Sequence, residues 1–411
     1  MNQMEDYDVI IAGGGPAGSS AAIHLAQSGI RVLLVEQKEF PRAKLCGEFI
    51  SPECFDHFKK LGVADEMLAC NPAKLTETVF YSRRGHRVSV PSGWFATRSA
   101  LGLSRAEMDN NLLRRAATVG ADILQNAIVT DVIDRGDRIS GVRIRTYNDE
   151  RTYHAKLIID ATGRPRILSR RVHDHAGEKP SRDRARLVAF KAHFANTSIA
   201  PGACEIYSYR RGYGGLSTIE NGISNLCFIV AARDVRRLHS DPELVLQNTL
   251  MTNRRAAQVL ASAMRSSEWL SVSLDTFGLQ DPTPKTGLIA IGDSASFIDP
   301  FTGSGMLMAL ESGELAAKLI VNGDDLFSTI RDSGWPTLNQ LTELANNYAL
   351  EYQRTFGPRL RTCRWLRRTA YNPWLADLII LLCGVSERFR NRVARATRSG
   401  ASEHQSLVEV K

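Results

Sequence analysis

The sequence of 411 residues predicts an α/β protein, and three observations support that prediction. A glycine-rich turn near the start, in IIAGGGPAGSS, separates a short apolar run from a helical pattern. A second glycine-bearing turn, in GDSASFIDPFTGSGMLMALESG, follows another apolar run late in the chain. Between the two turns lies a stretch rich in β-branched and aromatic residues. Strands that alternate with helices are typical of a parallel sheet covered on both faces.

The first turn belongs to a compact βαβ unit. Val9 to Ala12 form an apolar run suited to a strand buried on both faces, and Gly13-x-Gly15-x-x-Gly18 follows at once. In such a motif the first glycine allows the tight turn, the second lets the backbone approach a pyrophosphate, and the third lets the helix pack against the strand. The motif alone is weak evidence, but its place between a strand and a helix predicts a dinucleotide site.

The helix and the next strand support the same prediction. A helix from about Pro16 to Ser28 points its positive N-terminal end at the phosphates, and Gly29 ends it. The strand that follows, RVLLVE, ends in Glu36, where a carboxylate can bind ribose hydroxyls. We therefore expect NAD or FAD at this edge of the sheet.

The second turn distinguishes between these two cofactors. FAD extends further than NAD at its flavin end and needs another contact on its ribityl chain and inner phosphate. The apolar strand from Leu288 to Ile291 ends in Gly292-Asp293, whose carboxylate can accept hydrogen bonds from ribityl hydroxyls. Gly303 and Gly305 then open a helix whose free N–H groups can face the pyrophosphate or the flavin. Two such turns predict one long cofactor, FAD, held from both sides.

These segments resemble the FAD-dependent p-hydroxybenzoate-hydroxylase-like superfamily, and within it the geranylgeranyl-reductase-type branch. The resemblance rests on five segments in the same order: GGGPAGSS, FPRAKLCGEFIS, LSRAEMDNNLLRRAATVGADI, IIDATGR and GDSASFIDPFTGSGM. It implies a discontinuous Rossmann-like FAD-binding domain, an inserted β-rich substrate domain and a C-terminal helical region. The expected bounds are 1–75, 97–180 and 278–325 for the FAD-binding domain, 76–96 and 181–277 for the substrate domain, and 326–411 for the helical region.

The resemblance also implies cofactor-binding residues, which fall into two groups. Around the adenosine and the pyrophosphate we expect Gly13, Gly15, Gly18, Ser19, Glu36 and Val129. Around the ribityl chain and the flavin we expect Cys46, Gly47, Arg105, Asp293, Gly305 and Met306.

Local helix chemistry independently supports Arg105. Ser104-x-x-Glu107 is a capping box, so Arg105 lies in the first turn of a helix that Gly120 ends. A cation in that turn opposes the helix dipole, which indicates an anionic partner such as the cofactor phosphate; a surface arginine is the alternative.

Two residues of the segment FPRAKLCGEFIS leave alternatives open. The Cys46 thiol either contacts the flavin or is a small buried side chain without a chemical role. Glu48 is either a proton donor near the flavin or a solvated loop acid. No spacing of histidines, cysteines or acids in the sequence indicates a metal site.

The segment between the two turns predicts strands that cover the flavin and line a substrate site. Geranylgeranyl reductases carry a YxWxFP pattern here, whereas this chain has YGGLST, with Tyr213 retained and Gly215 in place of tryptophan. Loss of an indole should widen the site by roughly one aromatic ring, which favours a ring-bearing substrate. Tyr213 then hydrogen-bonds a phenol or carbonyl, or packs as a strand aromatic.

The C-terminal segment carries most of the net charge of +8. From Glu351 to Lys411 it has eleven arginines and one lysine against five acidic residues. Its apolar run from Trp374 to Val385 is too short to span a bilayer; it lies on an anionic membrane surface, covers a substrate channel, or packs as a helical cap. Seven scattered cysteines and a first strand without a signal segment indicate a cytoplasmic protein, for which the tail leaves peripheral membrane contact open; no nucleic acid partner is expected.

Together these features predict an FAD-dependent monooxygenase or hydroxylase that acts on an apolar aromatic or polyketide-derived, lipid-like small molecule. NAD(P)H is the expected electron donor, and arginines after IIDATGR either attract its phosphate or are solvated. One alternative is a reductase of isoprenoid double bonds. Another is a flavin-binding module recruited to a membrane surface or nucleic acid. The WxWxIP signature of tryptophan halogenases is absent.

Overall fold

The computed structural model describes residues 6–92, 99–175, 186–274, 277–332, 334–370, 373–386 and 388, and it is an α/β structure with two large sheets. In chain order the strands are β1 Asp6–Ala12, β2 Val32–Val35, β3 Phe49–Ile50, β4 Ala73–Leu75, β5 Glu77–Tyr81, β6 Arg87–Pro91, β7 Ala100–Gly102, β8 Asp122–Leu124, β9 Ile128–Asp134, β10 Ile139–Arg145, β11 Glu150–Asp160, β12 Leu187–Ala195, β13 Ala203–Tyr209, β14 Gly212–Thr218, β15 Ser224–Ala231, β16 Met264–Arg265, β17 Leu270–Leu274, β18 Gly278–Leu279, β19 Leu288–Ala290 and β20 Ser296–Phe297. The helices are α1 Pro16–Gln27, α2 Cys54–Leu61, α3 Ala64–Ala69, α4 Arg105–Thr118, α5 Ile167–His175, α6 Ala232–Arg237, α7 Pro242–Asn248, α8 Arg254–Val259, α9 Gly305–Asn322, α10 Asp324–Arg331, α11 Leu338–Ala370 and α12 Pro373–Val385.

The first large sheet has the strand order β8-β2-β1-β11-β10-β9, with β19 also paired to β11. Strands β8, β2, β1, β11 and β19 run parallel, while β10 and β9 form an antiparallel extension. Val9, Ile10 and Ile11 are fully buried, because separate clusters of apolar side chains pack on the two faces of the sheet. The Rossmann-like α/β fold expected from the sequence is confirmed.

Strand β11 brings the two glycine turns together. Its last residue, Asp160, is in register with Ala12 at the end of β1 and with Ala290 at the end of β19. Because parallel strands finish at one edge of a sheet, the loops after β1 and β19 lie side by side although they are far apart in sequence.

Helices α1 and α9, which follow these two loops, pack with their backbones in close contact. A β-carbon at Gly313 of α9 would lie 2.4 Å from the Ala17 carbonyl oxygen and 2.9 Å from the Ala21 nitrogen. The Ser20 hydroxyl donates a hydrogen bond to the Leu310 carbonyl across the same contact (3.0 Å). Only a glycine permits this approach, which packs the N-terminal half of α1 against the middle of α9.

The second large sheet has the strand order β16-β12-β15-β14-β13-β5-β6, with β17 paired to β12. Side chains alternate between its faces, as the strand period of two requires. In β13, for example, Tyr207 and Tyr209 point into an apolar cluster with α7 and α8, whereas Cys204 and Ile206 face a cavity between the two sheets.

The C-terminal helices connect the two halves of the molecule. Helix α11 is fixed to the first sheet region because the Tyr348 hydroxyl donates to the Ala290 carbonyl (2.8 Å) and Arg359 pairs with Glu311 (2.9 Å). Helix α12 packs on β6 of the second sheet. None of the helices in the described part of the chain combines the length and apolarity needed to cross a membrane. Residues 389–411, with part of the arginine-rich tail, lie outside the described residues.

The substitution Gly313→Val should lower the free energy of unfolding by about 1–3 kcal/mol, the usual cost of overpacking a closely packed interface. We also expect weaker FAD retention, because α1 and α9 would separate. Urea unfolding and the flavin content of the purified protein are the two measurements.

Gly384→Ala is the matched control, because a β-carbon there lies 4.0 Å from its nearest neighbour, the Arg87 carbonyl oxygen. That variant should be unchanged or more stable by up to about 1 kcal/mol, since alanine favours the helix. A Gly313→Val protein as stable as wild type would show that the helix contact is not close-packed.

Candidate active site

A cavity of about 540 Å³ lies between the two sheets and reaches the edge where β1, β2, β11 and β19 end. Ten of the cofactor-binding residues expected from the sequence line it: Gly13, Gly15, Glu36, Cys46, Gly47, Arg105, Val129, Asp293, Gly305 and Met306. Tyr213 and Gly215, expected at the substrate side, line it as well. The structure therefore places most of the predicted site around one space.

Gly18 and Ser19, also expected at the pyrophosphate, are not among the lining residues. A β-carbon at Gly18 would lie 1.9 Å from the Gly13 carbonyl oxygen, so this glycine serves the packing of α1 against the turn. The Ser19 hydroxyl is buried and donates to the Gly14 carbonyl (3.1 Å). Both residues therefore contact the turn on the side away from the cavity and stabilise its backbone.

The first turn presents backbone and a carboxylate to the cavity. Gly13 has φ +112°, and a β-carbon there would lie 2.3 Å from the Ala161 carbonyl oxygen. Gly15 is the N-cap of α1 and lines the cavity, so the positive end of the helix faces it. Glu36, at the end of β2, accepts hydrogen bonds from the N–H groups of Gly14 (2.9 Å) and Lys38 (3.0 Å). These positions suit a pyrophosphate and the adenosine ribose.

The second turn presents a carboxylate and another helix N-terminus. Asp293 lines the cavity, and burial raises the pKa of its carboxyl despite the attraction of Arg164, Arg105 and Lys44. The hydroxyl groups of a ligand could donate to the Asp293 carboxylate the hydrogen bonds that water would otherwise supply. Gly305, the first residue of α9, lies at the same wall. This wall suits a ribityl chain and the edge of a flavin.

Besides Lys38, four cations line the cavity and are here called the basic cluster: Arg42, Lys44, Arg105 and Arg164. Burial lowers the pKa of Lys44, and the neighbouring charges of Arg105, Arg42 and Arg164 lower it further. An anionic ligand would stabilise these buried positive groups, because it would offset their mutual repulsion. The basic cluster and the two helix N-termini fit the diphosphate of FAD, with carboxylates placed for its ribose and ribityl hydroxyls.

Arg105 has an anionic partner, as its place in the first helical turn predicts, but that partner lies in the same helix. Its guanidinium donates to both carboxylate oxygens of Asp109, each at 2.7 Å. Asp109 also accepts from Arg42 (3.0 Å), so one buried carboxylate orients two of the cavity cations. The spacing of four residues along α4 was visible in the sequence and could have identified this pair.

Glu48 is neither a proton donor nor a solvated acid. It is 1% exposed and adopts φ +52°. Its carboxylate pairs with Lys191, contacts His193 Nε2 (2.7 Å) and accepts from the Arg105 N–H (2.9 Å). Burial alone would raise the pKa of Glu48, but the His193 hydrogen bond and the Lys191 charge outweigh it and hold the pKa below its usual value.

Lys191 and His193 are functional residues that the sequence reasoning missed. Both lie on β12 with Ala189, at alternate positions that share the cavity-facing side. A lysine within the apolar run LVAFKAHFA was the available signal, because a buried lysine needs a partner. The loop that carries Glu48 is thus held by the second sheet.

Tyr213 packs as a strand aromatic and its hydroxyl has a partner within the protein, while a hydrogen bond to a substrate phenol or carbonyl stays a prediction. Its ring packs edge-on against Phe301, with centroids 5.2 Å apart, and its hydroxyl donates to Asp299 Oδ1 (2.6 Å). The other oxygen, Asp299 Oδ2, is buried and accepts no hydrogen bond from the described part of the chain. Burial raises the pKa of Asp299 even though the Tyr213 hydrogen bond opposes the change. Asp299 was not singled out in the sequence.

Gly215 lines the cavity, but the space expected beside it is partly filled. A β-carbon at Gly215 would lie 3.1 Å from Cδ1 of Ile206 on the neighbouring strand. The Ile206 side chain therefore fills part of the space that an indole at position 215 would occupy. The cavity is widened less than the sequence predicts.

The part of the cavity lined by β5, β6, β13, β14, α11 and α12 is here called the apolar half. Its wall includes Phe80, Val88, Ile206, Leu366 and Ile379. Among the described residues from these elements that line it, none is an aspartate, glutamate, lysine, arginine or histidine. This half suits an uncharged, largely hydrocarbon molecule.

Comparisons with known proteins agree with this geometry. A family described as FAD binding domain matches residues 6–322. The chain is 26% identical to a 1H-pyrrole-2-carbonyl-[peptidyl-carrier protein] brominase of Pseudoalteromonas luteoviolacea over 93% of each chain. It is 28% identical to a menaquinone reductase of Mycolicibacterium smegmatis, over 81% of this chain and 80% of the relative. A flavoprotein/dehydrogenase structure from Cytophaga hutchinsonii superimposes with a TM-score of 0.75 at 20% identity, over 95% and 92% of the two chains.

Replacement of Lys191 by methionine should lower the free energy of unfolding by about 3–5 kcal/mol near neutral pH, because a buried carboxylate loses its cation. The pKa of Glu48 is depressed in the folded protein, so its contribution is present above the ordinary glutamate pKa and is lost as pH falls through the folded value. The difference between wild type and variant should therefore shrink on acidification. Urea unfolding at about pH 7 and at about pH 3, below the ordinary glutamate pKa, measures it.

Lys59→Met is the control for this effect, since the Lys59 side chain is 55% exposed and lies 3.8 Å from Asp56. Its loss should cost no more than about 1 kcal/mol at either pH. Equal stabilities of Lys191→Met and wild type at neutral pH would contradict the assigned pair.

Lys44→Met should weaken FAD binding about 10- to 100-fold, the loss expected for one charge-assisted contact. The same change should leave the FAD-free protein as stable or more stable, because it removes a cation from a repelling cluster. Fluorescence titration of the FAD-free protein and its urea unfolding give the two values. Lys318→Met, at an exposed position of α9, is the control, and an unchanged affinity in Lys44→Met would refute the role of the cluster.

Proposed function

The chain belongs to the FAD binding domain family and is an FAD-dependent oxidoreductase, and from this premise we propose that it is a monooxygenase. Its substrate is a phenol or related aromatic ring with an apolar, lipid-like chain. The observation that carries the proposal is the apolar half of the cavity, whose wall includes Tyr213 with its hydroxyl on Asp299. A hydrocarbon chain fits the wall, and a phenolic hydroxyl fits the buried Tyr213–Asp299 pair.

The Tyr213–Asp299 pair prepares the ring for oxygenation. The Tyr213 O–H donates to Asp299, and a hydroxyl oxygen can accept a hydrogen bond while its O–H donates, so a substrate hydroxyl can donate to Tyr213. The raised pKa of Asp299 makes its carboxylate a stronger base, which can take the phenolic proton through Tyr213. Removal of that proton increases the electron density of the ring at the carbon to be oxygenated.

Other residues hold the cofactor and keep water out. The basic cluster and the N-termini of α1 and α9 would hold the diphosphate of FAD, and Asp293 its ribityl hydroxyls. Bound FAD supplies the redox chemistry that links oxidation of NAD(P)H to activation of O2. The uncharged wall of the apolar half excludes water from the reacting groups. In the overall reaction one oxygen atom enters a ring C–H bond, and the other leaves as water with the electrons of NAD(P)H.

The test is turnover of a long-chain alkylphenol by the FAD-loaded enzyme with NAD(P)H under labelled O2. We expect one labelled oxygen atom in the product, detected by mass spectrometry. Tyr213→Phe should keep its FAD and lose roughly 100-fold or more in kcat, while Tyr147→Phe, at a 98% exposed position, should match wild type. Absence of O2 consumption across phenolic lipids would overturn the proposal.

A reductase of isoprenoid-like double bonds is the second candidate. It is favoured by the similarity to a menaquinone reductase and by the same Tyr213–Asp299 pair, which could supply the proton that accompanies a hydride. This function predicts turnover without O2 and a product that has gained two hydrogens. Incorporation of bromine or chlorine in the presence of halide would instead assign the reaction to the halogenases.

A further inference from the structure

Helix α12 has apolar side chains on two opposite faces. Its inner face, with Ile379, Ile380 and Cys383, lines the apolar half of the cavity. Its outer face is exposed to solvent and consists of Trp374 (64% exposed), Leu378, Leu381, Leu382 and Val385 (82% exposed). The spacing of these outer residues, at 0, 4, 7, 8 and 11 positions along the helix, places them in one stripe.

Such an outer face is unusual for a helix in contact with water, because surface helices of globular proteins carry polar residues there. Asp377 is the one charged residue in the sequence of α12, and it points inward to Arg84 (3.4 Å) with a side chain that is 14% exposed. A continuous exposed apolar face of this kind marks an interaction site.

Arginines precede and follow this helix along the chain. Arg361 and Arg364 of α11 are exposed, as is Trp365 (51%). After α12 the sequence continues with Arg388 and four more arginines up to residue 398. A helix that exposes tryptophan and leucine and is flanked in sequence by arginines is typical of helices that lie in the headgroup region of an anionic membrane.

We propose that the outer face of α12 binds the surface of an anionic lipid bilayer. The helix has 13 residues and is about 20 Å long, too short to span a hydrocarbon core of about 30 Å, so it lies in the interface. A second copy of the chain is a poorer occupant, because it would bring two arginine-rich segments, each with a surplus of seven positive charges, against each other.

The position of α12, between the proposed membrane surface and the cavity, relates this contact to substrate uptake. One helix, about 10 Å thick, separates the proposed bilayer from the apolar half of the cavity. A lipid-like substrate could pass from the membrane into the cavity along α12 without crossing water. This second step rests on the proposed function, whereas the membrane contact itself does not.

The experiment uses the full-length, FAD-loaded protein and vesicles of phosphatidylcholine, with or without phosphatidylglycerol. We expect sedimentation with the anionic vesicles, weaker binding at high salt, and a blue shift of tryptophan fluorescence that Trp374→Phe reduces. The double variant Leu381→Glu/Leu382→Glu should lose roughly tenfold or more in vesicle affinity, with unchanged flavin content. Leu350→Glu, at a 50% exposed leucine of α11, should bind as wild type does.

Equal binding of wild type and the double variant would overturn the proposal, as would equal binding to neutral vesicles. Self-association in the absence of lipid that the double variant abolishes would assign the face to a second copy of the chain. Because vesicle binding is measured without turnover, its success or failure is independent of whether the enzyme oxygenates phenols. Faster turnover of a long-chain alkylphenol presented in anionic vesicles, lost in the double variant, would support delivery along α12.

Discussion

The close backbone contact between α1 and α9 is the constraint on which the rest of the site depends. Gly313 lets the two helices approach until their backbones touch, and β11 holds the strands that precede them in one parallel sheet. Two positive helix N-termini therefore face one cavity from two sides. A long cofactor with phosphates in its middle fits this arrangement, because each half of it meets a separate turn.

Two groups of buried charges around this cavity have opposite functions. Glu48 pairs with Lys191 and contacts His193 Nε2, so it connects its loop to the second sheet. In the basic cluster, Asp109 pairs with Arg105 and Arg42, whereas burial, and then the charges of the neighbouring arginines, lower the pKa of Lys44. The first group builds the site, and the second would bind the anionic part of the ligand.

On the proposed function, the reaction takes place where the residues expected to bind the cofactor meet the apolar half. Strands of the second sheet form one wall of that half and α12 forms another, so its shape depends on how the C-terminal helices sit on the sheet. The same helix exposes an apolar face to solvent. The substrate cavity and the proposed membrane contact therefore lie on opposite sides of one helix. A hydrocarbon-lined site behind an apolar surface is consistent with a substrate taken from a lipid phase.

The sequence by itself determined the elements whose chemistry is local. The glycine turns, the Ser104 N-cap before Arg105, Glu36 at a strand end and the strands of the second sheet depend on neighbouring residues, and the structure has each of them where the pattern indicates. The reciprocal bond of the capping box is absent among the described residues, because the Ser104 N–H donates to Glu220 and not to Glu107. Only the tertiary structure decided the partners: Lys191 for Glu48, Asp299 for Tyr213, and Ile206 beside Gly215. These contacts join strands and loops that are distant in sequence, and a shift of one residue in strand register would turn each side chain to the other face.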